Sequence, residues 1–267
     1  MLSTKRFASG SLFCACALMS SSLPAQESVP GSYEGPKESL HIYLLIGQSN
    51  MAGRAPIGED QTGVINRCYL LNDTDQWEPA QNPLNRYSTI DRRLELQRLG
   101  PGDSFARRML EKNPNIAIGL VVNARGGTKI EQWQKGTPFY DDALRRTQVA
   151  REHGTLKGIL WHQGESNEKN QEGYLDKLQA LIAAFRKDLD APDLPFVAGQ
   201  VHDLPTINEQ ISQLPGLVPS TGFISSERLK TMDRWHFDAA SVRLMGERYA
   251  EEIDRIQAKA EASGIAH

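Results

Sequence analysis

The chain has 267 residues, of which 39% are hydrophobic and 24% are charged, and its formal net charge is −3. These values are typical of a globular protein with one sizeable core, and the length leaves little room for a second full domain. A slightly acidic chain without a basic cluster argues against a nucleic-acid partner. The oligomeric state stays open at this level.

The first 25 residues have the pattern of a secretory signal peptide. Lys5 and Arg6 form a basic start, a short apolar centre runs from Phe7 to Met19, and Leu23-Pro24-Ala25 forms a small-residue cleavage site before Gln26. A membrane anchor is the alternative, but serines dilute the apolar centre and it is short for a bilayer. We therefore expect a secreted or periplasmic protein with no stable membrane span after cleavage.

Cysteine usage is sparse. Cys14 and Cys16 lie inside the predicted signal peptide, so only Cys68 remains in the mature chain and no internal disulfide is expected. Lipid modification of Cys16 is an alternative that the sequence leaves open. Cys68 lies in the apolar run from Val64 to Leu71, which favours a buried core residue.

The segment from His41 to Gly53, HIYLLIGQSNMAG, is the most informative stretch of the chain. Its branched apolar residues, Ile42 to Ile46, predict a buried parallel strand, and Gly47 then permits a tight turn that carries Ser49. A serine at the tip of such a strand can be a nucleophile, because the free N–H groups of the following helix face its hydroxyl. The alternative is that Ser49 only caps that helix.

The rest of the chain alternates between strand and helix patterns. After a flexible lead at 26–40, a single domain is expected over 41–262, and the polar segment 72–100 is either a wall of the substrate cleft or an excursion without a role there. Alternation of this kind predicts right-handed crossovers and a mostly parallel sheet covered on both faces. The further predicted strands are 64–71, 115–123, 157–161, 194–200 and 221–225, and the predicted helices centre on 105–110, 140–153, 174–189, 206–214 and 242–256.

Polar clusters follow three of these strands, and a fourth cluster precedes the last helix. All four are expected to converge at one edge of the sheet. Asp233 and His236 are spaced so that the carboxylate can orient the imidazole, although either residue can be structural. The backbone N–H groups of the turn at Gly126 can stabilise an oxyanion, as can the amide of Gln163, and Glu165 is a second carboxylate near the histidine. A simple glycine turn is the alternative at Gly126.

Four motifs in this order closely resemble the SGNH-hydrolase superfamily, in the branch of carbohydrate esterase family 6 and the sialate O-acetylesterase-like domains. The resemblance covers the chain from His41 to about Ala258, and its specificity comes from the four motifs together. Departures are small, with Ser241 where relatives often have glycine and Asn167 where many have aspartate. The motifs are Gly47-Gln48-Ser49-Asn50-Met51-Ala52-Gly53, Gly126-Gly127-Thr128 with Trp133, Trp161-His162-Gln163-Gly164-Glu165-Ser166, and Asp233 with His236 and Phe237.

The resemblance implies a three-layer α/β/α sandwich with a mostly parallel central sheet, of the flavodoxin-like kind, and a serine esterase that removes acetyl groups from carbohydrates without a cofactor. It implies that Ser49 is the nucleophile and His236 the general base. Ser49 N–H, Gly126 N–H and Gln163 are implied as oxyanion donors. Asp233 ranks first as the partner of His236, and Glu165 is the alternative.

Two other functions compete with this interpretation. His162, Glu165, Asp233 and His236 are residue types that bind metals, so a metal-dependent hydrolase is one alternative, although their spacing is loose for a ligand set. A non-catalytic carbohydrate-binding module on the same scaffold is the other. The sequence does not identify the acetylated glycan, whether xylan, sialic acid or another sugar.

Overall fold

The computed structural model describes residues 1 and 31–264. The predicted signal peptide, with Cys14 and Cys16, lies outside these described residues. Within them, no helix is both long enough and apolar enough to cross a bilayer.

A seven-stranded sheet forms the centre of the described part of the chain, in the order β3-β2-β4-β1-β5-β6-β7. All neighbouring strands are parallel except β2 and β3, which pair antiparallel at one edge. The strands are β1 (Leu40–Gly47), β2 (Cys68–Leu71), β3 (Trp77–Pro79), β4 (Ala117–Ala124), β5 (Thr155–His162), β6 (Phe196–Gly199) and β7 (Thr221–Ile224).

Helices cover both faces of the sheet. The helices are α1 (Ser49–Ala52), α2 (Gly102–Lys112), α3 (Pro138–Ala150), α4 (Tyr174–Asp188), α5 (Pro205–Leu217) and α6 (Ala239–Ala262). One core packs α2 and α6 against one face of the sheet, and the other packs α3, α4 and α5 against the opposite face. The predicted three-layer α/β/α architecture is therefore confirmed.

Strand β1 shows why the sheet is buried on both sides. Leu44 and Ile46 belong to one core and Tyr43 and Leu45 to the other, because successive strand residues point to opposite faces. An apolar run without polar alternation is what such a strand requires. Cys68 is also buried, as predicted.

Element boundaries differ most from the predictions in two places. Strand β2 begins at Cys68 rather than at Val64, which is 57% exposed, because the preceding residues form turns. The segment 72–100 includes the short edge strand β3, whose pairing partner lies in β2. Strands of three or four residues, such as β3 and β2, are too short to show a periodic pattern in the sequence.

The chain order creates a topological switch at β1. Its two neighbours are β4 and β5; the connection that leads into β4 runs through α2 on one face of the sheet, and the connection from β4 to β5 runs through α3 on the other. Open α/β folds bind ligands in the crevice at such a point, outside the carboxyl ends of the strands. The turns after β1, β4 and β5 carry Ser49, Gly126 and Glu165, so the fold brings three of the four polar clusters together.

Gly47 at the end of β1 is required by close packing. Its φ is +131°, and a methyl group on its Cα would lie 2.2 Å from the carbonyl oxygen of His162. Side chains other than hydrogen are therefore excluded by both conformation and space.

We expect Gly47→Ala to reduce the free energy of unfolding by about 1–3 kcal/mol or more, because the positive φ is strained for alanine and the methyl group displaces β5. Urea denaturation measures this change. Gly63→Ala is the matched control, because a methyl group there meets nothing within 4 Å. Equal stability of the two variants would contradict the packing argument.

Candidate active site

Ser49 is the first residue of the short helix α1, immediately after the β1 turn. The helix cap position is Gln48, and no side-chain cap bond is formed, so the alternative role of Ser49 as a helix cap is wrong. Ser49 is 6% exposed and lines a cavity of about 570 Å³, a volume that suits a sugar-sized ligand. His236, Gly126 and Glu165 line the same cavity, which we call the cleft.

His236 lies in the loop before α6 and is paired with Asp233. Their Nδ1 and Oδ2 atoms are 2.7 Å apart, and the other Asp233 oxygen accepts the backbone N–H groups of Trp235 and His236 at 2.8 Å each. The carboxylate thus holds both the ring and the loop that carries it.

The ionisation of Asp233 follows from these contacts. Partial desolvation alone would raise its pKa, but the two backbone N–H groups and the imidazole outweigh that effect and lower the pKa to about 2. Because this value is below the ordinary 3.8, the contribution of Asp233 to folding is complete above about pH 4 and is lost as the pH falls towards 2. Asp233 is therefore a carboxylate throughout the neutral range.

Asn50 joins the nucleophile turn to the loop of the base. Its buried side-chain amide donates to the Trp235 carbonyl at 3.0 Å and accepts the Phe237 N–H at 3.2 Å. These are the two neighbours of His236 in the chain. No pattern in the sequence assigns Asn50 a role, and only its position directly after Ser49 could have indicated one.

Glu165 takes part in this arrangement through Asn50 rather than through His236. Its Oε1 atom accepts from Asn50 Nδ2 at 2.6 Å and lies 3.6 Å from His162 Nε2, too far for a hydrogen bond. Within the described residues, no hydrogen bond joins Glu165 to His236. The role of Glu165 as an alternative partner of the base stays a prediction.

His162 and Gln163 lie beneath the cleft and are fully buried. The Nδ1 atom of His162 is 3.3 Å from the hydroxyl of Tyr249. The amide nitrogen of Gln163 is within hydrogen-bond distance of Gln48 Oε1, the Thr128 carbonyl and Asn167 Oδ1, at 3.1, 3.0 and 2.8 Å. Gln163 therefore uses its N–H donors to hold three turns together. To donate to an oxyanion, as predicted, its amide would have to give up one of these hydrogen bonds.

The turn after β4 places Gly126 beside the nucleophile. A methyl group on Gly126 would lie 3.4 Å from Ser49 Cβ, so the two backbones approach closely. Thr128 fixes the turn by donating to the Arg125 carbonyl and accepting from Trp133 Nε1. The backbone N–H groups of Ser49 and Gly126 donate to no acceptor in the described part of the chain, so both can serve an oxyanion.

Part of the segment 72–100 forms a wall of the cleft, through Arg93 and Leu96. Asn85 anchors the segment to the end of β4, because its side chain exchanges two hydrogen bonds of 3.0 Å with the backbone of Ala124. The prediction that this segment forms a wall of the cleft is thus confirmed as far as its position is concerned.

The metal-binding alternative finds no support in this geometry. His162 and Glu165 are buried together, while Asp233 and His236 form a separate pair on a loop. Among the described residues, no group of three or more His, Cys, Asp or Glu side chains is arranged to hold a metal ion.

The fold and cleft define a hydrolase of the SGNH type, with a serine, an Asp–His pair and free backbone donors at the switch point of an α/β sheet. A family model described as carbohydrate esterase, sialic acid-specific acetylesterase, matches residues 39–255. The chain belongs to this family and is a carboxylic ester hydrolase of the carbohydrate acetylesterase class.

Individual relatives agree with this assignment. The chain is 33% identical over 184 residues to a protein of Arabidopsis thaliana described as a probable carbohydrate esterase, covering 61% of this chain and 70% of the plant protein. The crystal structure of that plant protein superposes with a TM-score of 0.73 and 26% identity, over 82% of this chain and 98% of the other.

Two further crystal structures share the fold. NanS gives a TM-score of 0.68 at 18% identity, over 84% of this chain and 99% of the other. A carbohydrate acetylesterase from Xanthomonas citri gives 0.59 at 19% identity, over 81% of this chain and 56% of the other.

The two carboxylates can be ranked by experiment. We expect Asp233→Asn to lower kcat on an aryl acetate by roughly 10²–10⁴, because an amide cannot hold the imidazole in the same tautomer. Glu165→Gln is the matched control and should lose much less, since its amide oxygen still accepts from Asn50. A larger loss in the Glu165 variant would make Glu165 the working partner of His236.

Proposed function

We propose that the protein is a serine esterase that removes O-acetyl groups from carbohydrates through an acetyl-serine intermediate, after export from the cytoplasm. The observation that carries the proposal is the shared cleft of Ser49 and His236, with the imidazole bonded to Asp233 on its other nitrogen. Nucleophile, base and orienting carboxylate are the three groups that acyl transfer by a serine requires.

In the first half-reaction, Ser49 Oγ attacks the acetyl carbonyl carbon while His236 removes the hydroxyl proton. The negative charge that develops on the carbonyl oxygen is stabilised by the N–H groups of Ser49 and Gly126. The bond from the acyl carbon to the sugar oxygen then breaks, and His236 returns the proton to that oxygen. The products are a free sugar hydroxyl and acetyl-Ser49.

In the second half-reaction, water attacks the acetyl-serine, and His236 again accepts and returns a proton, so acetate leaves and Ser49 is restored. Asp233 stays ionised and stabilises the imidazolium that forms in both halves. Gln163 supports the reaction by holding Gln48 and the Thr128 turn in place. A metal site and a purely binding function are not favoured, because Ser49, Gly126 and His236 line one cleft and Asp233 bonds to His236.

Ser49→Ala should abolish acetate release from acetylated xylan, pectin, mannan and O-acetyl sialic acid, whichever of these the native enzyme cleaves, because no other hydroxyl replaces the nucleophile. A serine-directed phosphonate should inactivate the native enzyme and label Ser49, as mass spectrometry of peptides would show. A chelator is the control and should have no effect. Activity that survives Ser49→Ala and is lost with the chelator would refute the serine mechanism.

Export is supported by the basic and apolar pattern of residues 1–25. Expression of the full chain in a bacterium with a general secretion system should yield a mature protein outside the cytoplasm that begins at Gln26. N-terminal sequencing measures this directly. A cytoplasmic protein that retains Lys5 and Arg6 would contradict the proposal.

A further inference from the structure

Gln48, which precedes the nucleophile, has one polar group without a protein partner. Its backbone N–H donates to the His162 carbonyl at 2.8 Å, and its backbone carbonyl accepts the N–H of Ala52 at 2.9 Å. Its side-chain oxygen Oε1 accepts further hydrogen bonds, whereas its Nε2 atom donates to no described residue. Gln48 is only 3% exposed, and buried polar groups are normally bonded, so the free amide nitrogen requires an explanation.

The orientation of this amide is fixed by its oxygen. The Oε1 atom faces the backbone N–H groups of Gly164 and Ser166 at 3.4 and 3.3 Å, and the Nε2 atom of Gln163 at 3.1 Å. A backbone N–H can only donate, so the Gln48 atom that faces two such groups is the oxygen and not the nitrogen. The two N–H groups of the Gln48 amide therefore point away from the turn after β5.

The free nitrogen is open to the cleft. Gln48 lines the cleft together with Ser49 and Gly126, and its Nε2 atom is not enclosed by protein. Since the rest of the residue is buried, it is the cleft that this atom faces.

The amide also lies close to the turn that carries the Gly126 N–H. The Nε2 atom of Gln163 is 3.1 Å from Gln48 Oε1 and 3.0 Å from the carbonyl oxygen of Thr128, two residues after Gly126. Gln48 Oε1 and this carbonyl oxygen are therefore no more than about 6 Å apart. Because Ser49 is the next residue in the chain, Gln48 is a neighbour of both turns that carry the free backbone donors.

Gln163, the other side-chain amide near the nucleophile, lacks this freedom. Its nitrogen carries two N–H groups and has three acceptors within hydrogen-bond distance, so neither N–H is free. One of these acceptors, Asn167 Oδ1, is identified as an oxygen because it also accepts the backbone N–H of Ile130 at 3.0 Å. Of the two glutamine amides, only that of Gln48 has N–H groups to offer a substrate.

On this basis, and resting on the proposed function, we propose that Gln48 is a catalytic residue whose Nε2 donates to the acyl oxygen of the acetyl group, as a third donor beside the N–H groups of Ser49 and Gly126. The acyl oxygen can only accept hydrogen bonds and lies near these backbone groups, whereas the sugar oxygen faces His236, which returns its proton. As the acyl carbon becomes tetrahedral, its oxygen gains negative charge, and the bond from Gln48 strengthens. Since the turn after β5 already holds the amide, little side-chain freedom is lost.

The test compares 4-nitrophenyl acetate with its thiono analogue, in which sulfur replaces the acyl oxygen. Sulfur is a weak acceptor, so a donor that acts on the acyl oxygen speeds cleavage of the oxygen ester far more than that of the thiono ester. Gln48→Glu keeps an oxygen facing Gly164 and Ser166 but removes the donor, and Gln48→Met removes the donor without adding charge. Both variants should lower kcat on the oxygen ester by about 10²–10³, the usual effect of one oxyanion donor, and should lower the ratio of the two rates about 10-fold or more.

Gln163→Glu is the matched control, because it removes an amide nitrogen from the same group of hydrogen bonds. It should reduce the free energy of unfolding and slow both esters by similar factors, which leaves the ratio unchanged. The ratio does not depend on the fraction of enzyme that is folded, so a destabilised variant still gives a valid result. A native ratio in both Gln48 variants would overturn the proposal, and a ratio that falls only in Gln163→Glu would assign the role to Gln163.

Failure of the proposed function gives a different result. If the native enzyme cleaves neither ester and a serine-directed phosphonate does not label Ser49, the serine mechanism fails and this inference fails with it. If the native enzyme cleaves the oxygen ester and Ser49 is labelled, an unchanged ratio rejects the role of Gln48 alone. Where the thiono ester reacts too slowly to measure, the same ratio is taken from labelling by the phosphonate and by the phosphonothioate, in which sulfur replaces the phosphoryl oxygen.

Discussion

The geometry of the active site depends on the hydrogen bonds of one buried amide, that of Asn50. The residue follows Ser49 in the chain and bonds to the backbone on each side of His236. The nucleophile and the base come from opposite ends of the sequence, and this side chain sets their separation. Only a group that both donates and accepts can make these bonds, which an amide does and a carboxylate or an aliphatic side chain does not.

Much of the fold could be predicted because its signals are local. The apolar run of β1 predicts a buried strand, and the spaced apolar residues of α4 and α6 predict helices. The alternation of strands with helices then predicts a parallel sheet. The convergence of the polar turns also follows, since the carboxyl ends of parallel strands meet at one edge. Residues Ser49, Gly126 and His236 could therefore be assigned to one site before any distance was known.

The remaining features depend on contacts between distant residues, which no single-sequence pattern encodes. Asn50 and Phe237 are 187 residues apart, and nothing in either segment indicates that they bond. The amide of Gln163 matches a familiar motif, yet its donors are taken by oxygens of Gln48 and Thr128 from two other turns and by Asn167 of its own turn.

The turn after β5 departs most from the usual rule that buried polar groups are hydrogen-bonded. His162 Nε2, Gln163 Oε1 and Glu165 Oε2 are buried without a protein partner, whereas most such groups in folded proteins are satisfied. Unsatisfied atoms cost stability, so their presence in one short stretch beneath the nucleophile requires a reason. The turn must place Glu165 against Asn50 and Gln163 against Gln48, and these two contacts fix the helix that begins at Ser49. The buried polar atoms without a protein partner are thus concentrated where the position of the nucleophile is determined, as is common at functional sites in otherwise consistent folds.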